Sequence, residues 1–539
     1  MIEYFIILSG GYVSPEIRAE FGLLPPVMLP LAGNRLYEHQ INFAKSFKPK
    51  QLVLSLPADY SLPKIDEKRL NELNVRIVRV PTNLTLVQSL SFVLEVLDSK
   101  NKIALLHGDT FIDADIELLT DAIFFDKNND DYEWDTLLNK KIYSSKEVDN
   151  VSDKPQDALC GFFVFSDSVF FRNCCSVAAD FVHALNSYIA KKNTSFVLPR
   201  QWLDLGHLSL YFTARRDFLV TRAFNSITYN NNRLTKSSAN SKKIKMEVQW
   251  YKNVPPELKH YVPQIFDSRE YLANGNLYYQ YDLEYLYLPN IAEVIIFGNI
   301  SVRKLKFIVN LCVKFLEECE RFTPLLMKGS KEFCQNHFDF LIRKKSIERI
   351  KKFQEQTEFD IDREIIINGY VIPSINEILS ILINKITPTR ESDVCFWHGD
   401  LFFGNILYDA RARSIRLIDP RGEGLPSEFS IYGDKRYDRA KLLHSLIGFY
   451  DEIIASRCDF KINSANDFSL NFNVNNVFAN EIAKNTLING EPLLNRENLA
   501  ITIILFISML PLHNEDKKRQ MCLLANAARL FLSFKNEEF

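Results

Sequence analysis

Asp400, Asn405 and Asp419 bring three oxygen-bearing side chains close together in the stretch FWHGDLFFGNILYDARARSIRLIDPRGEG, which runs from Phe396 to Gly424. Their types and spacing suit phosphoryl transfer. That reaction needs one carboxylate to take the proton of an attacking hydroxyl, and further oxygens to hold Mg²⁺ against nucleotide phosphates. Asp400 closes the triplet His398-Gly399-Asp400, and Asn405 follows five residues later on the same loop. Residues 414–418 read as a short apolar strand that delivers Asp419. Asp400, with His398 beside it, is therefore the catalytic candidate, and Asn405 and Asp419 are the metal candidates.

An H-x-D-x-x-x-x-N loop followed by an aspartate after an apolar strand is the kinase arrangement of base and metal ligands. With Asp419-Pro420-Arg421-Gly422 in place of Asp-Phe-Gly, the stretch resembles the aminoglycoside phosphotransferase and choline kinase superfamily, which acts on small molecules. The resemblance implies a two-lobed α+β kinase-like domain that uses ATP and Mg²⁺. Its smaller lobe is expected after Asp217, where short strands appear at residues 218–221, 226–229 and 233–236, with Asn230-Asn231-Asn232 as a turn. Lys236 and, eleven residues on, Glu247 within a helix-compatible run at 242–251 are the candidate pair for the nucleotide phosphates. Lys242, Lys243 and Lys245 compete for that role. The segment from Tyr281 to Pro289 resembles the superfamily's hinge strand, so Glu284 and Tyr285 are candidate nucleotide contacts. From Val302 onward the chain reads as almost wholly helical, with amphipathic helices at 302–322, 331–356 and 375–386 and an exposed asparagine-rich loop at 463–476. Asp438, in the first turn of a helix, either anchors the catalytic loop by hydrogen bonding or faces the helix dipole.

The first 215 residues have a different rhythm. Apolar strands at 2–8, 51–56, 75–80 and 103–106 alternate with helical stretches at 36–47 and 86–97. This alternation predicts an open, mostly parallel α/β sheet of Rossmann-like type with ligands at the carboxyl ends of its strands. Ser9-Gly10-Gly11 follows the first strand, where glycine lets a phosphate approach the backbone. His107-Gly108-Asp109 follows the fourth, and Asp204 lies further on in Trp202-Leu203-Asp204-Leu205-Gly206. These features resemble the sugar-1-phosphate nucleotidyltransferases. The run Pro25 to Asn34 resembles that family's middle segment, and Asp109 and Asp204 match its two metal-binding aspartates. The resemblance implies Mg²⁺ and a nucleoside triphosphate as second substrate, with Gly10, Gly11 and Arg18 near the nucleotide. The loop lacks the family's G-x-G-x-R spacing, and Pro26 stands where a lysine is expected, so Arg18 or Arg35 is left to supply the positive charge. An isolated Asp109 also fits the metal ligand of a GT-A glycosyltransferase; the Trp202–Gly206 motif favours the nucleotidyltransferase. The polar stretch 127–155 reads as a surface loop, a lid or an inert insertion.

With 539 residues the chain exceeds one core, and the boundaries expected are 1–215, a small kinase lobe and hinge at 216–300, and a helical lobe at 301–539. Basic and acidic residues balance, 65 against 67, which argues against nucleic acid as a partner. No basic leader precedes the first strand, the apolar run at 499–512 reads as a core helix, and nine cysteines without a C-x-x-C pair read as free thiols, so a cytoplasmic location is expected. No residue pattern speaks to oligomeric state. Together the two resemblances imply an enzyme that phosphorylates a small hydroxyl compound and then activates the product with a nucleotide, as in bacterial capsule polysaccharide biosynthesis. The alternatives are a kinase carrying a degenerate nucleotidyltransferase-like domain, or a non-catalytic scaffold.

Overall fold

Apolar runs too short for helices make the first sheet. In the computed structural model, which describes residues 2–114, 120–127, 132, 134–145, 157–217, 226–230, 232, 233–239, 241–273, 275–324, 330–472 and 476–537, strands Val75–Val80, Gln51–Pro57, Tyr4–Leu8 and Ile103–His107 lie side by side and parallel. Asp157–Phe165 then adds antiparallel to Ile103–His107, and the sheet reaches nine strands. Successive strands step outward from Tyr4–Leu8 to one edge, and Ile103–His107 then returns to its other side. That reversal is the switch point at which open α/β sheets bind ligands. Helices Leu36–Lys45, Lys64–Glu72 and Leu86–Leu97 are the crossovers. Thr85 caps the last of them through a reciprocal pair with Gln88, and Val87, Leu90, Val93, Leu94 and Leu97 enter the core beneath the strands. Part of the stretch expected as a loop is sheet instead: Thr136–Leu138 and Lys141–Tyr143 pair as a hairpin at the sheet edge, because Leu137 and Ile142 both have core to reach. The remainder of that stretch lies outside the described residues.

The chain falls into two units, Met1–Leu219 with Phe297–Asn299, and Val220–Ile296 with Ile300–Phe539. The second opens on a four-stranded antiparallel sheet in the order Ser226–Asn230, Arg233–Ser238, Asn276–Glu284, Ile265–Ala273. Helix Ser241–Asn253 packs on it, burying Ile244, Val248, Trp250 and Tyr251. The strand expected at 218–221 lies outside the described residues.

Beyond Val302 the chain is less uniformly helical than its amphipathic pattern implies. Helix Val302–Cys319 forms, but the long helix expected over 331–356 is three pieces: Ser330–Phe338, a π-helical turn Asp339–Lys344, and Lys345–Thr357. The wider turn lets the adjacent Leu341 and Ile342 bury together. Most of the asparagine-rich stretch expected as an exposed loop is strand, and its residues 473–475 lie outside the described residues. Cys458–Ser464 and Asp467–Phe472 form a hairpin joined to Ile365–Ile367 and Tyr370–Ile372, since Phe468 and Leu470 alternate inward between the polar residues. Arg496–Met509 is buried along almost its whole length and packs between neighbouring helices as a core helix. Among the described residues the span 496–513 alone is long and apolar enough to cross a membrane, and 72% of it is inside the fold.

Candidate active sites

In the first unit the two aspartates meet through strand pairing. Gln201–Asp204 runs antiparallel to Thr110–Asp113 with Asp204 opposite Thr110, and Leu205 N–H donates to the Asp109 carbonyl at 2.8 Å. Gly206 marks where their oxygens converge: a Cβ there would lie 2.8 Å from Asp109 Oδ2 and 3.4 Å from Asp204 Oδ1. Burial and the neighbouring Asp204 charge push the Asp109 carboxyl up to about 6. His207 Nδ1 meets Asp204 Oδ2 at 2.7 Å, and that bond raises the imidazole above its ordinary value. A pocket of about 160 Å³ joins Asp109, Asp204 and His207 to Trp134 and Trp202. The two indoles cross edge to face at 5.1 Å, and Trp134 also meets the His207 ring.

Among the described residues no group of three or more His, Cys, Asp or Glu is poised as a metal cage. Two converging carboxylates that repel one another fit Mg²⁺, which takes one or two protein carboxylates and leaves its other positions to water and substrate phosphates. Gly10 and Gly11 leave the strand beside this point, since Gly108 packs against Ser9 so tightly that a Cβ would sit 2.7 Å from it. Gly10 is needed for packing, because its Cβ would meet Ser89 Oγ at 2.7 Å, whereas Gly11 faces open space. Arg18 is exposed on helix Pro15–Phe21. Arg35 is buried and committed to the Met28 and Phe297 carbonyls and to Asp66.

In the second unit a hairpin positions the metal candidates. Ile406–Asp409 pairs with Ser414–Leu417, and Ile418 N–H donates to the Asn405 carbonyl at 3.0 Å, so Asn405 and Asp419 share the hairpin's open end. Asp419 adopts a left-handed φ of 55°, a strained conformation that turns the chain sharply there. Asn405 Nδ2 donates to the Asp400 carbonyl at 3.0 Å and to Asp400 Oδ2 at 3.3 Å, so its Oδ1 is the oxygen left for a cation. Asp419, 36% exposed, keeps solvent access for a cation on a carboxylate otherwise held by Lys236. This donor pair also fits Mg²⁺ with nucleotide phosphates as further ligands.

Asp400 and His398 are built differently. Lys441 Nζ lies 2.8 Å from Asp400 Oδ1; burial opposes the charge, but Lys441 and Arg421 hold the carboxyl well below the usual carboxylate range. His398 is fully buried. Its Nδ1 accepts the Asp400 N–H at 3.3 Å, its Nε2 meets the Ile418 carbonyl at 3.0 Å, and burial lowers it to about 4. A neutral imidazole with both nitrogens engaged ties the loop to the Asp419 strand. Asp438 accepts the N–H groups of His398 and Gly399 at 2.7 and 2.8 Å, so its carboxylate anchors the loop.

Lys236 Nζ bonds Glu247 Oε2 at 2.8 Å and Asp419 Oδ1 at 3.1 Å. Burial works against the ammonium, yet Asp419 and Glu247 together raise it above the ordinary lysine value. The Tyr281 hydroxyl donates to Glu247 at 3.2 Å, and the Tyr251 hydroxyl receives the Asp419 N–H at 3.2 Å. Of the competing lysines, Lys245 pairs with Glu270 at the surface. At the hinge, Glu284 N–H donates to the Gln264 carbonyl and Tyr285 N–H to the Asn232 carbonyl, each at 2.8 Å, while the Glu284 carboxylate takes Arg416. Both amides are thus used inside the sheet.

Several residues at these sites escape a reading of motifs. Lys441 had a legible signal, three residues after Asp438 on the same helix and hence on the face that meets the loop. His207 directly follows the Trp202–Gly206 motif that carries Asp204. Trp134 and Tyr251 are joined to the sites by long-range packing alone, whereas Arg421 stands two residues after Asp419 and Tyr281 is the register partner of Lys236.

No family model and no curated protein matches this chain. Among solved structures, the inositol-1-phosphate CTP transferase from T. maritima is 16% identical, with a TM-score of 0.32, covering 40% of this chain and 96% of that one. HddC from Yersinia pseudotuberculosis is 15% identical with a TM-score of 0.30, covering 41% of this chain and 100% of that one. A UDP-glucose pyrophosphorylase is 13% identical with a TM-score of 0.31, covering 40% and 98%.

Proposed function

We propose that the second unit transfers a phosphoryl group from ATP to a hydroxyl of a small molecule, and that the first unit transfers a nucleotidyl group onto the phosphorylated product. The observation that carries the reading is the linked set Glu247–Lys236–Asp419 beside Asn405 and Asp400. Lys236 is held by Glu247 where it reaches nucleotide phosphates, and Asp400 receives the hydroxyl. The bond from acceptor oxygen to γ-phosphorus forms as that from γ-phosphorus to the bridging oxygen breaks. ADP leaves, and the hydroxyl proton passes to Asp400 and on to solvent. His398 and Asp438 position the loop; neither needs to touch substrate. Mg²⁺, held by Asn405 and Asp419, would neutralise phosphate charge.

In the first unit, a phosphate oxygen of the substrate attacks the α-phosphorus of a nucleoside triphosphate and pyrophosphate leaves. Asp109 and Asp204 are the residues that would hold Mg²⁺ there, which supplies charge neutralisation to the leaving pyrophosphate. The Trp134–Trp202 corner supplies an apolar wall with two indole faces. A nucleotide-activated product of this kind suits surface polysaccharide assembly, including a bacterial capsule.

The experiment is ADP formation with Mg²⁺-ATP over sugars, choline, ethanolamine and glycerol, together with pyrophosphate release over the four nucleoside triphosphates. Loss of ADP formation in Asp400→Asn with retained ATP binding supports the kinase assignment. Unchanged turnover in that variant overturns it.

A further inference from the structure

Lys441 and Arg421 face Asp400, and Lys345 and Arg349 face Arg421, a group of cations that the nucleotide chemistry does not use. Arg421 lies under the Tyr437 ring, 5.0 Å from its centroid, with Trp397 at 5.9 Å, and its Nη1 is buried without a hydrogen-bond acceptor. Its backbone is fixed there, because Arg421 N–H donates to the His398 carbonyl at 2.9 Å and its Cβ abuts Gly399. Lys345 and Arg349 stand one turn apart on helix Lys345–Thr357, immediately after the π-helical turn. Arg349 gives one N–H to the Ser508 carbonyl. Among the described residues Lys345 has no carboxylate within ion-pair distance; its ammonium lies 5.2 Å from the Phe340 ring centroid. Burial, then Arg421 and Arg349, push Lys345 well below the ordinary lysine value, which is what crowding a cation among cations does.

The acids in the same neighbourhood do not balance this charge. Asp400 bonds Lys441 and also faces Arg421, so one carboxylate serves two cations. Glu423 faces Lys345, Arg349 and Arg421 and accepts Ser427 N–H. Asp438 is taken up by the His398 and Gly399 amides. His337 and His398 are lowered to about 4 by burial and stay uncharged. Positive charge left over in a half-buried site, with a guanidinium nitrogen lacking an acceptor, is a place for an anion.

We propose that the acceptor phosphorylated at Asp400 is itself an anion, a hydroxy acid or a phosphate monoester, whose negative group is bound by Arg421 and Lys345 with Arg349 behind them. This deepens the kinase reading and rests on it. The site is then specific against neutral polyols and against amino alcohols, which Arg421 and Lys345 repel. A carboxylate acceptor agrees best with the two-step scheme, since phosphorylation would then install the single phosphate that the first unit needs.

The test has two arms on the full chain. The first measures binding of D-glycerate, gluconate, sn-glycerol 3-phosphate and inorganic phosphate by calorimetry, with and without Mg²⁺-ATP, to wild type, Lys345→Met and Lys345→Arg. The expected result is one of these anions binding at least tenfold more weakly to Lys345→Met, with Lys345→Arg close to wild type and ATP affinity within twofold throughout. Absence of Lys345-dependent anion binding overturns the proposal. So does a Lys345→Met defect in ATP affinity alone, which assigns these cations to the nucleotide. The second arm compares ADP formation over matched sets: glycerol, glycerate and glycerol 3-phosphate; glucose, gluconate and glucose 6-phosphate; choline and ethanolamine. Preference for the acid identifies a hydroxy acid, and preference for the ester identifies a phosphate. Asp400-dependent turnover of neutral or cationic hydroxyls alone overturns the anion proposal while leaving the kinase reading intact. Anion binding with no Asp400-dependent turnover of any compound counts against the kinase reading instead.

Discussion

The two candidate sites solve one electrostatic problem in opposite ways. In the second unit each candidate carboxylate already has a cation: Lys441 at Asp400 and Lys236 at Asp419. In the first unit Asp109 and Asp204 converge on Gly206 with His207 on one edge, and Asp109 rises to about 6. A site neutralised in advance holds its shape without ligand, and an anion entering it has to displace or share lysine contacts. A site of repelling carboxylates depends on an arriving cation to relieve it. Carboxylate count alone says little about how a site behaves; the partner each oxygen already has decides it.

The largest effect expected is at Asp400. Its replacement by Asn keeps the side-chain shape but leaves one oxygen for two donors, Lys441 and Asn405, and removes the proton acceptor, so ADP formation should fall by roughly 10²–10⁴-fold with ATP affinity nearly unchanged. Stopped-flow or coupled ADP assays check the first part, and calorimetry with a non-hydrolysable ATP analogue checks the second. At Lys236 the expected loss is in the nucleotide site and in the fold together. Lys236→Met leaves Glu247, 2% exposed, without its cation. Breaking such a buried pair costs about 3–5 kcal/mol, read as a lower denaturation midpoint for the second unit. A double variant, Lys236→Met with Glu247→Gln, should recover much of that stability and none of the ATP affinity. Recovery of both would remove Lys236 from nucleotide binding.

How far these sites were legible follows from how each residue is held. Asp400, Asn405 and Asp419 sit on one hairpin and its preceding loop, so local spacing is enough to bring them together. Asp109 and Asp204 are far apart in sequence, yet each lies next to a strand end with a glycine close by, and a motif captures that. The parallel strands of the first unit were readable because buried runs such as Ile103–His107 leave little choice of period. The hairpin Cys458–Ser464 with Asp467–Phe472 was not, because asparagine and serine on its solvent face mask the alternating Phe468, Leu470 and Phe472. The π-helical turn at Asp339–Lys344 has no proline or glycine to announce it; burial of Leu341 and Ile342 within the tertiary fold produces it. Lys345 and Arg421 are distant in sequence, and packing alone places them in one neighbourhood.

For the first unit, Asp109→Asn removes half of the repelling pair. Mg²⁺-dependent pyrophosphate release should drop about 10²-fold or more, since a neutral amide is a poor replacement for a carboxylate at a hard cation. The magnesium-free protein should be stabilised at neutral pH by the same substitution, because a buried charge facing Asp204 is gone. A wild-type melting temperature that rises with Mg²⁺ and an Asp109→Asn one that does not would sharpen the contrast between the sites. Equal responses would break it.

The smallest effect expected is a difference in pH response, and it bears most directly on the comparison. Asp109 titrates in the fold at about 6, above its ordinary value. A group whose pKa is raised on folding makes the unliganded protein lose stability as pH climbs from about 4 to about 6, while the cation needs the ionised form. Mg²⁺ affinity of the first unit should therefore increase through pH 6 and level off above about 7. Asp400, held well below the carboxylate range by Lys441 despite its burial, is ionised across that whole interval and contributes no such rise. Mg²⁺ titrations at pH 5.5 and 7.5, run on Asp109→Asn and on Asp400→Asn in parallel, separate the two: the pH step should vanish in the first variant and persist in the second. A step that survives Asp109→Asn would assign the titration either to the His207–Asp204 pair or to Asp438, whose burial raises it to about 7 behind the second unit's loop, and loss of the step in Asp438→Asn separates those two.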